Sequence, residues 1–74
     1  METTNFIEGE RAMVIGIKGS IAFQNYLLTN SISLGTIITK NYSPQFAHLV
    51  CFTVGGKMLS LRRQDFDLIE IVKI

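Results

Sequence analysis

Two side chains of the kind that catalyse or ligate stand close together in this chain: His48 and Cys51, its single histidine and single cysteine. Nucleophilic catalysis needs a base within hydrogen-bond reach of the thiol, and a metal ion needs its ligands to converge on one point. On an extended strand a separation of three directs the two side chains to opposite faces, so without a bulge the two cannot chelate one ion together, and they cannot make the base-to-nucleophile hydrogen bond. Cys51 is expected as an interior-side or half-buried thiol, and His48 as a surface side chain near the turn at Pro44. Gly55-Gly56-Lys57 suggests a phosphate cradle, but a P-loop needs a glycine five residues before Gly56 and Ser or Thr after the lysine. Cys51 and Met58 occupy those places. Asp65, Asp67 and Glu70 offer oxygen ligands to a hard cation, yet lack the dense Asp/Asn and glycine spacing of a dedicated loop and read as a solvated turn. No catalytic residue, metal site or cofactor is therefore expected. Arg62-Arg63 is the one adjacent basic pair. If Leu59 and Leu61 face inward, Arg62 shares the exposed face with Ser60, and the pair suits an acidic partner surface.

The elements that position these residues belong to a small chain. Seventy-four residues are expected to form one domain, residues 1–74, which buries about 60% of the surface its unfolded chain exposes and leaves little room for an enzyme cleft. Apolar residues make up 47%, enough to drive folding. Seven basic against six acidic residues give a net charge of +1, too little for the counterion release that nucleic acid or an anionic membrane surface rewards. One cysteine allows no internal disulfide, so packing or association must stabilise the fold, and a reducing compartment fits. Glu2, Glu8 and Glu10 precede the first basic residue, the reverse of a secretory signal. The apolar run Ala12 to Ile17 is far short of the ~20 residues that span a bilayer. A cytoplasmic location without membrane insertion is expected.

Glu10 to Lys18 has Met13, Ile15 and Ile17 at a spacing of two, with Ala12, Val14 and Gly16 between, as in a strand buried on one face and partly covered on the other. Gly19-Ser20 breaks the pattern, and Ser20 is a good N-cap for a helix over Ile21 to Asn30. At 100° per residue that helix gathers Ala22, Phe23, Tyr26 and Leu27 on one side, and Gln24, Asn25 and Thr29 on the other. Ile21 and Leu28, seven apart, fall with the polar residues, so some apolar surface is left for loops, the N-terminal arm, another protein or a second copy to cover. Thr36 to Tyr42, Ala47 to Val54 and Lys57 to Arg62 read as consecutively paired strands. The first two are linked through Ser43-Pro44 and the last two by a Gly55-Gly56 hairpin turn. Gln64 to Phe66 reads as one helical turn with Asp65 as its cap, and Leu68 to Ile74 as a last strand. The expected fold is mainly β: a small barrel of about five strands with one inserted α-helix, closed to hide its edges.

This order, with Glu8-Gly9-Glu10 before Ala12 and Ile15, Tyr26-Leu27-Leu28 leading to Ile32 and Gly35, Val50 through Gly56, Leu59-Ser60-Leu61-Arg62 and Ile69-Glu70-Ile71, resembles the ferrous-iron transport protein A (FeoA) family over nearly the whole chain. The resemblance implies an SH3-like barrel with an inserted helix. It departs at Asn30-Ser31-Ile32-Ser33-Leu34-Gly35, where the family usually has a glycine directly after the helix and a proline before the last glycine. Asn30 or Ser31 must then reverse the chain, and Asn tolerates a left-handed backbone better. The resemblance further implies a cytoplasmic accessory protein of ferrous-iron uptake that acts through FeoB, the large membrane transporter with a GTPase domain. The contact surface is expected on Ile21, Tyr26, Leu27 and Leu28, with Arg62 and Arg63. The alternative is a transition-metal sensor or carrier module similar to the SH3-like domains of iron-dependent repressors, using His48, Cys51 or the acidic turn. Self-association into a homo-oligomer is a third reading.

Overall fold

The computed structural model describes residues 6–43 and 48–74. Its elements run β1 (Arg11–Ile17), α1 (Ile21–Thr29), β2 (Ile37–Lys40), β3 (Leu49–Val54), β4 (Lys57–Arg62), α2 (Arg63–Phe66) and β5 (Ile69–Lys73). The five strands form one antiparallel sheet in the order β4-β3-β2-β1-β5. This is the expected mainly β, SH3-like arrangement with a helix inserted after the first strand. Pro44 and Ala47, where a turn and the start of the third strand were expected, lie outside the described residues.

The β3–β4 hairpin obeys the sequence pattern closely. Val50, Phe52 and Val54 alternate inward along β3, and Gly55 and Gly56 supply the two positive φ values, 56° and 79°, that a tight hairpin turn requires. On β1 the buried residues are Ala12 and Val14, while Ile15 is exposed. A bulge between Val14 and Gly16 shifts the register, placing Val14 opposite Ile71 and Ile17 opposite Ile69. Three steps on β1 thus match two on β5, and the face presented to the core switches so that Ile17 joins it. At Gly16 the Glu70 carboxylate crosses the space a Cβ would fill, on its way to Lys18 Nζ at 3.4 Å, so a side chain there would have to displace the flexible end of Glu70.

The sheet ends at β4 and β5, which do not pair with each other, so the barrel is not closed by hydrogen bonds. The one-turn α2 stands in this connection. Its Phe66 is fully buried, stacked on Phe6 with ring centroids 6.2 Å apart and tilted against Phe52 at 5.4 Å. Phe66 thereby ties α2 to the core through Phe6 and the Phe52 ring on β3. Asp65 is not the cap of this turn: Arg62 holds the N-cap position with no side-chain cap bond, and the Asp65 carboxylate accepts from Arg62 Nε at 3.3 Å.

α1 starts where expected, with the Phe23 amide donating to Ser20 Oγ at 3.1 Å. Its end is a Schellman motif: Ile32 N–H donates to the Leu27 carbonyl and Ser31 N–H to the Leu28 carbonyl. The left-handed residue is Ser31, at φ 67°. Asn30 keeps a negative φ and spends its side chain on the Tyr26 carbonyl at 2.9 Å, which is why the better left-handed residue is not the one that turns.

Candidate interaction surfaces

The residues expected to meet a partner fall into two separate places. On α1 the buried stripe is narrow: Leu27 has no exposed surface and Phe23 packs partly against the core. Leu27 is therefore not a contact residue but the anchor of the helix, held beside Ile32 by the Schellman turn. Ala22 and Tyr26, expected on the apolar inner side, are both exposed, because the helix is rotated toward Leu27 and Gln24, whose Nε2 donates to the Gly19 carbonyl at 3.1 Å. Ile21 is 77% exposed, Leu28 59% and Tyr26 47%, so no described segment covers them. Leu28 and Leu34 line a shallow groove with Gly16, Ile17, Gln24 and Ser33. Leu34 was not expected there; its place is set by the turn after α1, whose geometry the sequence left open.

Arg62 and Arg63 lie elsewhere, in an open cleft of about 550 Å³ that they share with His48, Leu49, Gln64 and Asp67. None of these residues lines the α1 groove. The cleft is held by the Arg63 amide donating to the His48 carbonyl at 3.0 Å, which extends the β3–β4 ladder by one pair. His48 has a positive φ of 55° and an exposed side chain.

A polar cluster that joins the end of β2 and the residues just after it to β3 and β4 was not legible in the sequence. Ser43 Oγ accepts from Lys40 Nζ and from the Cys51 amide, both at 2.9 Å. Asn41 Nδ2 donates to Thr53 Oγ1 at 2.8 Å, and Cys51 Sγ lies 3.3 Å from Ser60 Oγ. Hydrogen bonding from Ser60 is the main cause that draws the Cys51 thiol below its ordinary pKa, with burial opposing, and Ser43 and the Lys40 charge adding to the lowering. Burial draws the Lys40 ammonium down, with Arg63 adding to it and Cys51 and Glu8 opposing. A lysine beside a serine can serve as a base, but Ser43 Oγ already takes two donors and acts here as a tie between strands rather than as a nucleophile. The carboxylates do not converge: Asp65 meets Arg62, and Glu70 meets Lys18. Among the described residues no three His, Cys, Asp or Glu side chains are placed to hold a metal ion, and no buried side-chain nitrogen or oxygen lacks a partner. No helix among them is long and apolar enough to cross a membrane.

Comparison with known proteins gives the family and the fold. The family model described as FeoA domain matches residues 4–73. No curated protein is significantly similar in sequence. Among solved structures, iron(II) transport protein A from Clostridium thermocellum superposes with a TM-score of 0.89 at 19% identity, over 100% of this chain and 46% of that one. FeoA protein from Chlorobium tepidum gives 0.88 at 18% identity, over 100% and 70%. The manganese-activated repressor ScaR, in its apo form, gives 0.85 at 20% identity, over 100% and 35%. At such identities the likeness is one of fold.

Proposed function

The chain belongs to the FeoA domain family, and from that membership, which implies a part in ferrous-iron transport, we propose that it is a non-catalytic accessory protein of ferrous-iron uptake. It works in the cytoplasm as a single domain, binding the GTPase-bearing portion of a FeoB-type membrane transporter. The match of the family model to residues 4–73 carries this reading. The exposed apolar side chains of α1 support it: Ile21 and Leu28, with Tyr26 on the other flank, give a partner buried area to gain, at about 25 cal/mol per Å². Arg62 and Arg63 add a cationic contact that favours an acidic partner and speeds encounter more than it tightens binding. Calorimetry with the purified cytoplasmic portion of the transporter, without nucleotide, with GDP and with a GTP analogue, tests it. Association in at least one state is expected, and none in any state removes the reading.

A second reading, a transition-metal sensor or carrier, is favoured by the likeness of fold to a manganese-activated repressor. Anaerobic titration with ferrous ion separates the two. Stoichiometric binding, lost on Cys51→Ser or His48→Ala, supports the sensor; its absence leaves the accessory role alone.

A further inference from the structure

We propose that the free edge of β4 is a docking strand for an extended acidic segment of another protein. The inference is independent of which protein supplies that segment. β4 ends the sheet, and its pairing with β3 runs without a shift from Val54↔Lys57 to Leu49↔Arg62. In a two-residue hairpin the pair flanking the turn exchanges both hydrogen bonds. Lys57, Leu59 and Leu61 therefore bond inward to β3, and Met58, Ser60 and Arg62 direct their N–H groups outward. Three further bonds fix the same phase. Cys51, opposite Ser60, uses its backbone away from β4, donating to Ser43 Oγ and accepting from the Asn41 amide. The Arg63 amide, next in the inward series, bonds the His48 carbonyl.

An unpaired edge is a template for another strand, and proteins blunt it with proline, a bulge, a covering segment or charged side chains that keep like edges apart. β4 has no proline and no bulge, and among the described residues no strand lies beyond it. What it carries is charge: Lys57 and Arg62 on the strand, Arg63 directly after, and no carboxylate on the strand itself. These charges select the occupant. Two copies pairing their β4 edges about Ser60 would bring Lys57 of each up to Arg63 of the other, and like charges facing across a ladder repel. An acidic strand meets the opposite field. One of its carboxylates faces Lys57, and another reaches Arg62 and the cleft beyond it, where Asp67 is the one carboxylate in the lining. The Arg62–Asp65 pair is solvent-exposed on the Arg62 side and exchanges readily for a new partner. An apolar side chain of the segment packs on Met58, which is 72% exposed.

The test is an NMR titration of the ¹⁵N-labelled full chain with the end-blocked synthetic peptide Glu-Val-Thr-Val-Val-Glu, whose two carboxylates, five residues apart, lie on opposite faces of an added strand as Arg62 and Lys57 do on β4, with a valine left to meet Met58. Its lysine–valine counterpart, and a glutamate peptide N-methylated at alternate backbone amides, serve as controls. The glutamate peptide is expected to shift the Met58, Ser60 and Arg62 amides saturably and to slow their exchange with solvent. The lysine peptide leaves them unmoved, and N-methylation weakens binding by about tenfold or more through lost ladder bonds. Arg62→Glu and Lys57→Glu, checked for unchanged spectra elsewhere, are each expected to weaken the glutamate peptide. No saturable shift on β4, equal binding of the N-methylated peptide, shifts confined to the α1 groove, or pairing of two copies in sedimentation would each overturn the proposal. None of those outcomes bears on association with the transporter, which calorimetry reads separately.

Discussion

On the outer face of β3 the Cys51 thiol lies 3.3 Å from Ser60 Oγ, and the thiolate is favoured chiefly by that hydroxyl. The thiolate is the reactive form. The pH midpoint for alkylation of Cys51 by iodoacetamide is therefore expected below that of the same thiol without this hydroxyl, so Ser60→Ala should move it upward; an unchanged midpoint would show that Ser60 donates nothing to the sulfur. The same lowering has a sign for stability. A depressed acid contributes stability that is complete above its unfolded value and lost as the pH falls through its folded one. Cys51 should thus add stability as the pH rises toward and past the ordinary thiol range, and Cys51→Ser should remove that rise. Ser31 makes a second, purely conformational prediction. Its φ of 67° costs a non-glycine residue about 1 kcal/mol, so Ser31→Gly should raise the urea midpoint by an equivalent amount. An unchanged or lower midpoint would mean that the gain is offset by the greater freedom of glycine in the unfolded chain.

At the scale of elements, α1 is the clearest case of a boundary that was legible and a face that was not. Ser20 announces the start through its cap, because capping is a local matter of one hydroxyl and one amide. The helix phase is set by what it packs against, and Leu27 and Ile32, joined by a Schellman turn, fix it more strongly than the apolar count of its nine residues. Leu27→Ala should cost ~2 to 5 kcal/mol, as for a leucine wholly removed from water, and Leu28→Ala within about 0.5 kcal/mol. Thermal melts of the two variants check the order, and a reversal would move the docking face to the other flank of α1. The β3–β4 hairpin was legible almost residue for residue, since alternation and a Gly-Gly turn specify it locally. The bulge in β1 was not, because it appears only in the register against β5. The Lys40–Ser43–Cys51–Ser60 cluster escaped for the same reason: its members meet only once β2, β3 and β4 lie side by side.

For the whole molecule, an order of strands that pairs β1 with both β2 and β5 but leaves β4 and β5 apart joins the two sheet edges along the chain through α2, whose Phe66 is buried against Phe6 and Phe52. Phe66→Ala should cost about 3 to 5 kcal/mol, a large share of the ~5 to 15 kcal/mol that holds a small domain together. It should lower the melting temperature steeply, and a small effect would mean that Phe6 and Phe52 repack across the gap. The same architecture leaves two surfaces, an apolar one on α1 and a basic one along β4 and its cleft, with no shared lining residue. The partnership proposed for them is most directly tested by calorimetric titration of the full chain into the purified cytoplasmic portion of a FeoB-type transporter, repeated with Leu28→Asp and Arg62→Glu. Association in at least one nucleotide state, weakened by one or both substitutions while their melting temperatures stay near that of the parent chain, is the expected result. Heat no greater than dilution at high protein concentration in every nucleotide state would contradict it.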